Sequence, residues 1–281
     1  MNKTIVTQVI PTIQGEGISV GTPVLLIRLG NCNLNCDFCD SKWANNLKIT
    51  EVPQFDINNV SLPFILEEID FENFIKYLKD NFLNKFEIRT ILLTGGEPFL
   101  YKDFISKLVN YTDLKQITNI EIETNGTLLN NNDDYKMFNY CWGKIIQLNI
   151  SPKLNPTYYK NEKIKDIKDI IEVFVSNEVK SLKTIIEKTP TEIIWKFVHS
   201  KEMEKDIINF IRSFNTMNHI YIMPLTPARA NYTFEGNFIS AFKTSCLETI
   251  DFCIKNGFTF SPREHIWLFN QTKRDEYIMG G

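Results

Sequence analysis

No run of about 18 apolar residues occurs in the 281-residue chain, so the sequence predicts no membrane-spanning helix. Neither sign of charge is in large excess. The 31 Lys+Arg and 34 Asp+Glu leave a net charge of -3, which argues against a broad electrostatic grip on nucleic acid. The opening MNKTIVTQVIPTIQGEG lacks a cationic stretch followed by an apolar core, so no secretory signal is expected, and the expected setting is cytoplasmic with reduced thiols. No internal repeat or long low-complexity tract is found. The 43% hydrophobic and 23% charged residues are ordinary for a soluble globular protein. The length suits one large domain or two modest ones and is enough to bury roughly 75% of the unfolded surface; a single domain over 1–281 is expected.

Cysteine is sparse, with six in the chain, and histidine sparser, with three. Cys32, Cys36 and Cys39 form a C-x3-C-x2-C group, while Cys141, Cys246 and Cys253 are scattered. In a reducing compartment a tight trio points to a metal or cluster site rather than to disulfides. Three thiolates are one short of the four that usually saturate a [4Fe–4S] cluster, which would leave one iron open to a further ligand. The same trio could hold zinc with a distant His or Cys, and spacing alone leaves both readings open. The lack of a second CxxC or HxxxH pair weighs against zinc. The scattered cysteines read as small core hydrophobes, and Trp43, Trp142, Trp195 and Trp267 as packing residues.

Short β-branched runs alternate with amphipathic stretches, which implies parallel strands joined by crossover helices. Strands are expected at Val24–Leu29, Thr90–Leu93, Asn119–Glu123, Ile145–Ile150, Ile170–Val175, Ile193–Val198, His219–Met223 and Phe258–Phe260. Helices are expected at Leu66–Leu83, with Ile69, Phe74, Leu78 and Phe82 on one face, at Asp103–Tyr111 and at Phe238–Lys255. The expected fold is α/β, a barrel or partial barrel rather than an open doubly wound sheet. Residues 45–65 read as a loop insertion, 155–168 as a solvated Lys- and Tyr-rich connection, Asn130–Asp134 as a polar turn, and about 262–281 as a C-terminal extension.

The cysteine trio directly follows the Val24–Leu29 strand. A second motif, Leu93-Thr94-Gly95-Gly96-Glu97-Pro98, follows the next strand, where glycines can expose backbone N–H and C=O groups to a ligand. In this order and context the two motifs resemble the radical S-adenosylmethionine (SAM) superfamily. Further islands narrow the resemblance to the 7-carboxy-7-deazaguanine synthase family. They are Pro11-Thr12-Ile13-Gln14-Gly15-Glu16-Gly17, Gly21-Thr22-Pro23, Ile27-Arg28-Leu29-Gly30-Asn31-Cys32-Asn33-Leu34, Cys39-Asp40-Ser41, Glu123-Thr124-Asn125-Gly126, Ser151-Pro152-Lys153, Met223-Pro224-Leu225-Thr226 and Ser261-Pro262-Arg263-Glu264-His265. Segments of about 45–85 and 155–190 carry little of it.

The resemblance implies a partial (β/α) barrel and a radical SAM carbon–nitrogen lyase. Such an enzyme converts 6-carboxy-5,6,7,8-tetrahydropterin to 7-carboxy-7-deazaguanine with loss of ammonia, on the route to queuosine-type bases. It implies that Cys32, Cys36 and Cys39 hold a [4Fe–4S] cluster. It implies that Phe38, Cys39, Asp40, Gly96, Glu123, Thr124, Asn125, Ser151, Pro152, Lys153, Met223, Pro224, Leu225 and Thr226 line the SAM site. Ile13, Gln14, Gly15, Glu16, Arg28, Thr94 and His265 are the implied substrate residues, with no catalytic side chain beyond the cofactor-held radical. The family's Cys-Asp-Thr, whose threonine binds Mg²⁺, is Cys-Asp-Ser here. Ser41 keeps the hydroxyl and is the implied magnesium ligand. A flavodoxin- or ferredoxin-type electron donor and a homodimer are also implied, with no nucleic acid or membrane partner.

Several positions admit plainer readings. Arg28, mid-strand between Ile27 and Leu29, suits a bidentate carboxylate grip, but could be salt-bridged to Glu16 or Glu97. Glu123 and Asn125 could form a capped turn, Ser41 a helix N-cap, and His265 a satisfied structural histidine. The alternative functions are a glycyl-radical activating enzyme, which would not need Arg28 or the IQGEG segment, and a zinc-stabilised interaction protein.

Overall fold

Aliphatic residues on consecutive strands build the centre of the fold. Ile91, Leu93, Ile120, Ile122, Ile146, Leu148 and Ile150 are all fully buried, as expected of parallel strands covered on both faces. The computed structural model describes residues 3–269 apart from 130–133, 139–140, 142, 161, 176–184, 186–187, 190, 215–218 and 228–234. The described strands are β1 (Thr4–Ile13), β2 (Pro23–Leu29), β3 (Phe64–Leu66), β4 (Thr90–Gly95), β5 (Asn119–Thr124), β6 (Ile145–Ile150), β7 (Thr191–His199), β8 (Ile220–Pro224) and β9 (Thr259–Phe260). They form one nine-stranded sheet in the order β3-β1-β2-β4-β5-β6-β7-β8-β9.

From β2 through β9 every neighbouring pair is parallel and each strand lies beside its predecessor in that run. A doubly wound sheet would reverse its strand order at a switch point, and this one does not. The sheet is not closed: β3 and β9 are its two edges. The architecture is therefore the expected partial barrel. Strand β1 pairs antiparallel with both β2 and β3. Sequence reading found neither of these two strands, because Pro11 interrupts β1 and β3 is three residues long.

Helices α1 (Phe71–Leu78), α2 (Lys102–Val109), α3 (Ile167–Val173), α4 (Glu204–Arg212), α5 (Glu235–Asn256) and α6 (Glu264–Phe269) accompany the sheet. The helix expected over 66–83 starts later. Leu66 pairs with Thr4 as part of β3, and Ile69 is 83% exposed in a 3-10 turn rather than on an apolar face. The helical face proper is Phe71, Phe74, Ile75 and Leu78. The strand expected at Ile170–Val175 is instead the body of α3. Asp166 caps the N–H groups of Lys168 and Asp169, and the Asp169 carboxylate reaches back to the Asp166 N–H, a capping box that selects helix over strand.

Two apparent insertions are anchored. Within 45–65, Val52, Phe55, Phe64 and Ile65 are buried, and the latter two belong to β3. The 155–168 segment is not a purely solvated connection: Tyr158 is 5% exposed and packs with Leu34 and Cys36. Cys141, Cys246 and Cys253 are buried, as expected of core residues. Trp142, most of the Asn130–Asp134 turn and the chain beyond 269 lie outside the described residues. Among the described residues no helix is long and apolar enough to cross a membrane.

Candidate active site

The C-terminal ends of the parallel strands carry the site, as in barrel enzymes generally. Between β2 and the first residues after it, the chain turns through Asn31 (φ 64) and sends out the cysteine loop. The loop is pinned at both ends. The Asn31 N–H donates to Ala44 O at 2.8 Å, and the Leu47 N–H donates to the Asn31 side chain at 2.7 Å. Cys39 N–H donates to Cys36 O, which folds the CxxC half into a turn.

All three thiols face one cavity of about 330 Å³. N–H donors are aimed at two of them. Leu34 N–H approaches Cys32 Sγ at 3.4 Å and the Asn125 amide at 3.9 Å, and the Asn45 amide stands 3.8 Å from Cys39 Sγ. Burial raises the Cys32 pKa and pushes Cys36 up to about 11, so as free thiols both stay protonated. Thiolate formation here needs a cationic partner, and the N–H groups then stabilise the ligated sulfurs. Among the described residues no group of three His, Cys, Asp or Glu is gathered closely enough for a single metal ion.

The glycines after β4 serve close packing as well as access. A Cβ on Gly96 would lie 1.7 Å from Asn31 O, and one on Gly95, at φ +142, would lie 2.0 Å from Leu29 O. Gly96 N–H donates to Leu29 O and Glu97 N–H to Asn31 O, so the motif is stitched to the root of the cysteine loop. The expected exposure of its N–H to a ligand therefore does not hold at Gly96. Glu97 is fully buried and accepts from Phe99 N–H, Asn125 N–H and the Thr124 hydroxyl, which ties the ends of β4 and β5 together. An acceptor does remain: Asn45 Oδ1 is buried without a partner and lies beside Gly96. It is suited to a donor such as the ammonium group of SAM.

A buried charge network floors the cavity. Lys196 on β7, 1% exposed, stands 2.9 Å from Glu16 and 2.5 Å from Glu123. Arg263, after β9, donates to Glu16 at 2.8 Å, to Asp40 at 2.8 Å and to the Thr226 hydroxyl. Burial raises the Glu16 pKa, but Lys196 and Arg263 outweigh it and hold the carboxyl well below the usual range. Glu123 goes the other way, its pKa raised by burial and by the neighbouring Glu16 carboxylate. The Gln14 amide donates to Glu121 at 2.8 Å and to Glu123 at 3.3 Å, and Asn149 donates to Glu123 at 3.0 Å. With its NH₂ committed to two carboxylates, Gln14 has its orientation set.

Arg28 donates from Nε to Gln8 at 3.0 Å, and its guanidinium lies 5.8 Å from the Trp43 ring centroid. Among the described residues, Glu16 is engaged by Lys196 and Arg263, and Glu97 by the N–H groups and hydroxyl at the end of β5. Trp43 is 47% exposed, so it is not the packing residue expected, whereas Trp195 is buried among Phe174, Phe210 and Phe214. Trp267 packs on Phe242. Ser41 donates to Gly95 O at 3.3 Å and lies 3.7 Å from Cys39 Sγ. It occupies an N-cap position without a capping hydrogen bond. His265 faces Glu16 at 3.8 Å, and burial pushes its pKa down to about 4. Gly15 admits the ring: a Cβ there would meet His265 Nδ1 at 2.2 Å. Lys153 donates to the Ser151 hydroxyl at 2.8 Å and sits 6.0 Å above the Phe38 ring.

The cavity lining thus brings together Ile13 to Glu16, Arg28, Thr94 and His265 with the three cysteines, Phe38, Asp40, Ser41, Gly96, Glu123 to Asn125, Ser151, Lys153 and Met223. Pro152, Pro224, Leu225 and Thr226 do not line the cavity; Thr226 reaches it only through Arg263. Asn125 fills the capped-turn role too, its side chain accepting from Thr127 N–H and hydroxyl. Sequence reading missed Lys196, Arg263, Asn45, Glu121 and Gln8. A lone lysine inside the apolar run IIWKFV was the available signal for Lys196. Arg263 sat inside a recognised island without a role.

The Radical SAM superfamily model matches residues 26–186. Relatives named 7-carboxy-7-deazaguanine synthase include one from Clostridium acetobutylicum, 30% identical over 195 residues, covering 68% of this chain and 74% of the relative. Another, from Aquifex aeolicus, is 32% identical over 176 residues, covering 61% of this chain and 67% of the relative. In fold the chain is similar to the crystal structure of QueE from Escherichia coli, with a TM-score of 0.58, 15% identity and coverage of 93% of this chain and 94% of that one.

Proposed function

The chain belongs to the radical SAM superfamily and, within it, to the 7-carboxy-7-deazaguanine synthases, and from that membership we propose that it converts 6-carboxy-5,6,7,8-tetrahydropterin to 7-carboxy-7-deazaguanine with release of ammonia. The observation that carries this reading is the convergence of the CxxxCxxC thiols, the GGEP turn, Arg28 and the IQGEG segment on one cavity. A glycyl-radical activating enzyme would account for the first two and leave the last two idle.

When bound, a [4Fe–4S] cluster with SAM would supply the radical chemistry for hydrogen abstraction from the pterin. This chain's own groups do the rest. Cys32, Cys36 and Cys39 hold the cluster, and the amides of Asn45 and Asn125 donate toward its sulfurs. Asn45 Oδ1 and the residues at the ends of β4 to β6 receive SAM. Arg28 grips the substrate carboxylate with its planar fork, steadied by Gln8 and Trp43. Gln14 and Glu16 bind the amidine edge, with Lys196 and Arg263 fixing the Glu16 carboxylate as an acceptor. His265, neutral at pH 7, packs against Gly15 and shapes that edge of the site. The Ser41 hydroxyl would hold an Mg²⁺ ion, which would supply charge stabilisation to the bound substrate. A one-electron donor protein, a cytoplasmic setting and a homodimer complete the proposal.

The test is anaerobic. Protein reconstituted with iron and sulfide is incubated with the carboxypterin, SAM and dithionite, and products are read by mass spectrometry. Formation of 7-carboxy-7-deazaguanine is expected. Cleavage of SAM without that product would overturn the narrower assignment, and zinc at one equivalent without iron would overturn the cluster.

A further inference from the structure

An asparagine amide has two N–H donors and an oxygen with two lone pairs, so the partner of each can be accounted for. Asn125, just after β5, is 6% exposed. Its backbone N–H donates to the buried Glu97 carboxylate at 2.7 Å, which fixes the main chain there. Its side-chain oxygen accepts from the Thr127 N–H at 2.9 Å and from the Thr127 hydroxyl at 2.6 Å. A backbone N–H can only donate, so the atom that meets it is the amide oxygen and the NH₂ group faces the other way. On that side it donates to Asn33 Oδ1 at 2.9 Å and lies 3.9 Å from Cys32 Sγ. The Asn33 NH₂ donates in turn to the Thr127 hydroxyl oxygen at 2.7 Å. The three side chains close a ring of one polarity, from Asn33 to Thr127 to Asn125 and back to Asn33.

The ring ties the cysteine loop to the turn after β5, joining residues 92 positions apart. Both lone pairs of the Asn125 amide are used, one N–H is used by Asn33, and the second points at the Cys32 sulfur. No capacity is left in this side chain for the ribose or the amino-acid end of SAM. Asn33 Oδ1 lies 4.0 Å from Cys32 Sγ, a contact that carries a hydrogen bond only while the sulfur keeps its proton. Ligation to iron removes that proton and leaves the sulfur an acceptor, served by Asn125 and by the Leu34 N–H at 3.4 Å. Neither Asn33 nor Thr127 lines the cavity.

We propose that the Asn125 side chain serves the cluster rather than SAM, and that Asn33 and Thr127 are positioning residues that hold its N–H on the Cys32 sulfur and thereby raise the cluster's reduction potential. Reduction adds one electron to the cluster, and part of that charge falls on the ligated sulfurs. A donor fixed on one of them stabilises the reduced state more than the oxidised one. This inference rests on the proposed function only in presuming a [4Fe–4S] cluster at Cys32, Cys36 and Cys39.

The test is an anaerobic redox titration of reconstituted protein without SAM or substrate. Titanium(III) citrate is the one-electron reductant, mediator dyes set the potential, and the reduced cluster is read by electron paramagnetic resonance. At the potential that half-reduces the wild-type cluster, the ratio of reduced to oxidised cluster should fall about threefold or more in Asn125→Leu. Thr127→Val, which opens the ring, should shift it in the same direction, and Thr127→Ser, which keeps the hydroxyl, should restore the wild-type ratio. SAM affinity, measured calorimetrically on the same samples, should be unchanged in Thr127→Val. An unchanged ratio in Asn125→Leu and Thr127→Val would overturn the proposal, and so would a loss of SAM affinity at a wild-type potential, which would return Asn125 to SAM. Loss of iron from both variants would make the ring a staple of the loop and would also overturn it. A wild type that takes up zinc and no iron fails the functional reading and this one together. A shifted potential in a protein that makes no deazaguanine fails the substrate assignment alone.

Discussion

The guanidinium of Arg263 lies 2.8 Å from the carboxylate of Glu16, a residue 247 positions away in the chain. Its other arm holds Asp40, the residue after the last cysteine of the loop. One side chain thereby sets the substrate segment and the cysteine loop in a common frame. Truncating it leaves two carboxylates short of a partner in a buried site, a loss on the order of 3–5 kcal/mol. Arg263→Ala should lower kcat/KM roughly a hundredfold or more while iron content is kept. Arg263→Lys should recover only part, because an ammonium cannot serve both carboxylates with a planar fork. Anaerobic kinetics with iron analysis decide this; iron loss in parallel would mean that the residue serves the cluster loop alone.

Lys196 answers to the same logic on the other side of Glu16. It is buried between two carboxylates, so Lys196→Met should destabilise the protein by about 3–5 kcal/mol. Adding Glu123→Gln should restore a measurable part, because one uncompensated charge is then removed. Urea unfolding of the two variants measures it. Equal stabilities for single and double variant would show that the pair is not coupled.

His265 carries a pH signature. Its pKa falls from 6.5 to about 4 on folding, chiefly through burial. Between those values the unfolded chain holds a proton that the folded one lacks, so stability is lost as pH falls from 6.5 toward 4 and is unaffected by this group above 6.5. His265→Gln should flatten the stability profile within that window and leave it alone at pH 7 to 8. Denaturation midpoints at several pH values test this, and an unchanged slope would remove His265 as its source.

Gly96 has no room for a methyl group. With Asn31 O at 1.7 Å from the added Cβ, Gly96→Ala must push the root of the cysteine loop away from β4. The expected outcome is a folded protein with iron incorporation reduced severalfold. Full iron content would show that the loop can shift without penalty.

Ser41 carries the magnesium reading. Ser41→Ala should raise the Mg²⁺ concentration needed for half-maximal turnover by about tenfold or more, and Ser41→Thr should lower it by holding the hydroxyl in fewer rotamers. Turnover of the alanine variant at an unchanged Mg²⁺ requirement would remove Ser41 from the ion.

The chain itself determined whatever depends on neighbours in sequence. C-x3-C-x2-C is a spacing, GGEP is a turn, and the run of short aliphatic strands with intervening helices already implies parallel order. Those features are local, so a linear reading reaches them. It erred where local pattern and long-range pairing disagree. Leu66 fits a helical period but hydrogen-bonds as a strand to β1, and α3 looks β-branched but is started by an aspartate capping box. Tertiary structure alone decided what Glu16 meets. Its partners lie on β7 and beyond β9, brought beside β1 only by the curl of the sheet. The same holds for the contact between Tyr158 and the cysteine loop, which turned an apparent solvated connection into a support behind that loop. A buried charge is tolerable only beside its counter-charge, and which counter-charge arrives is settled by strand order rather than by distance along the chain.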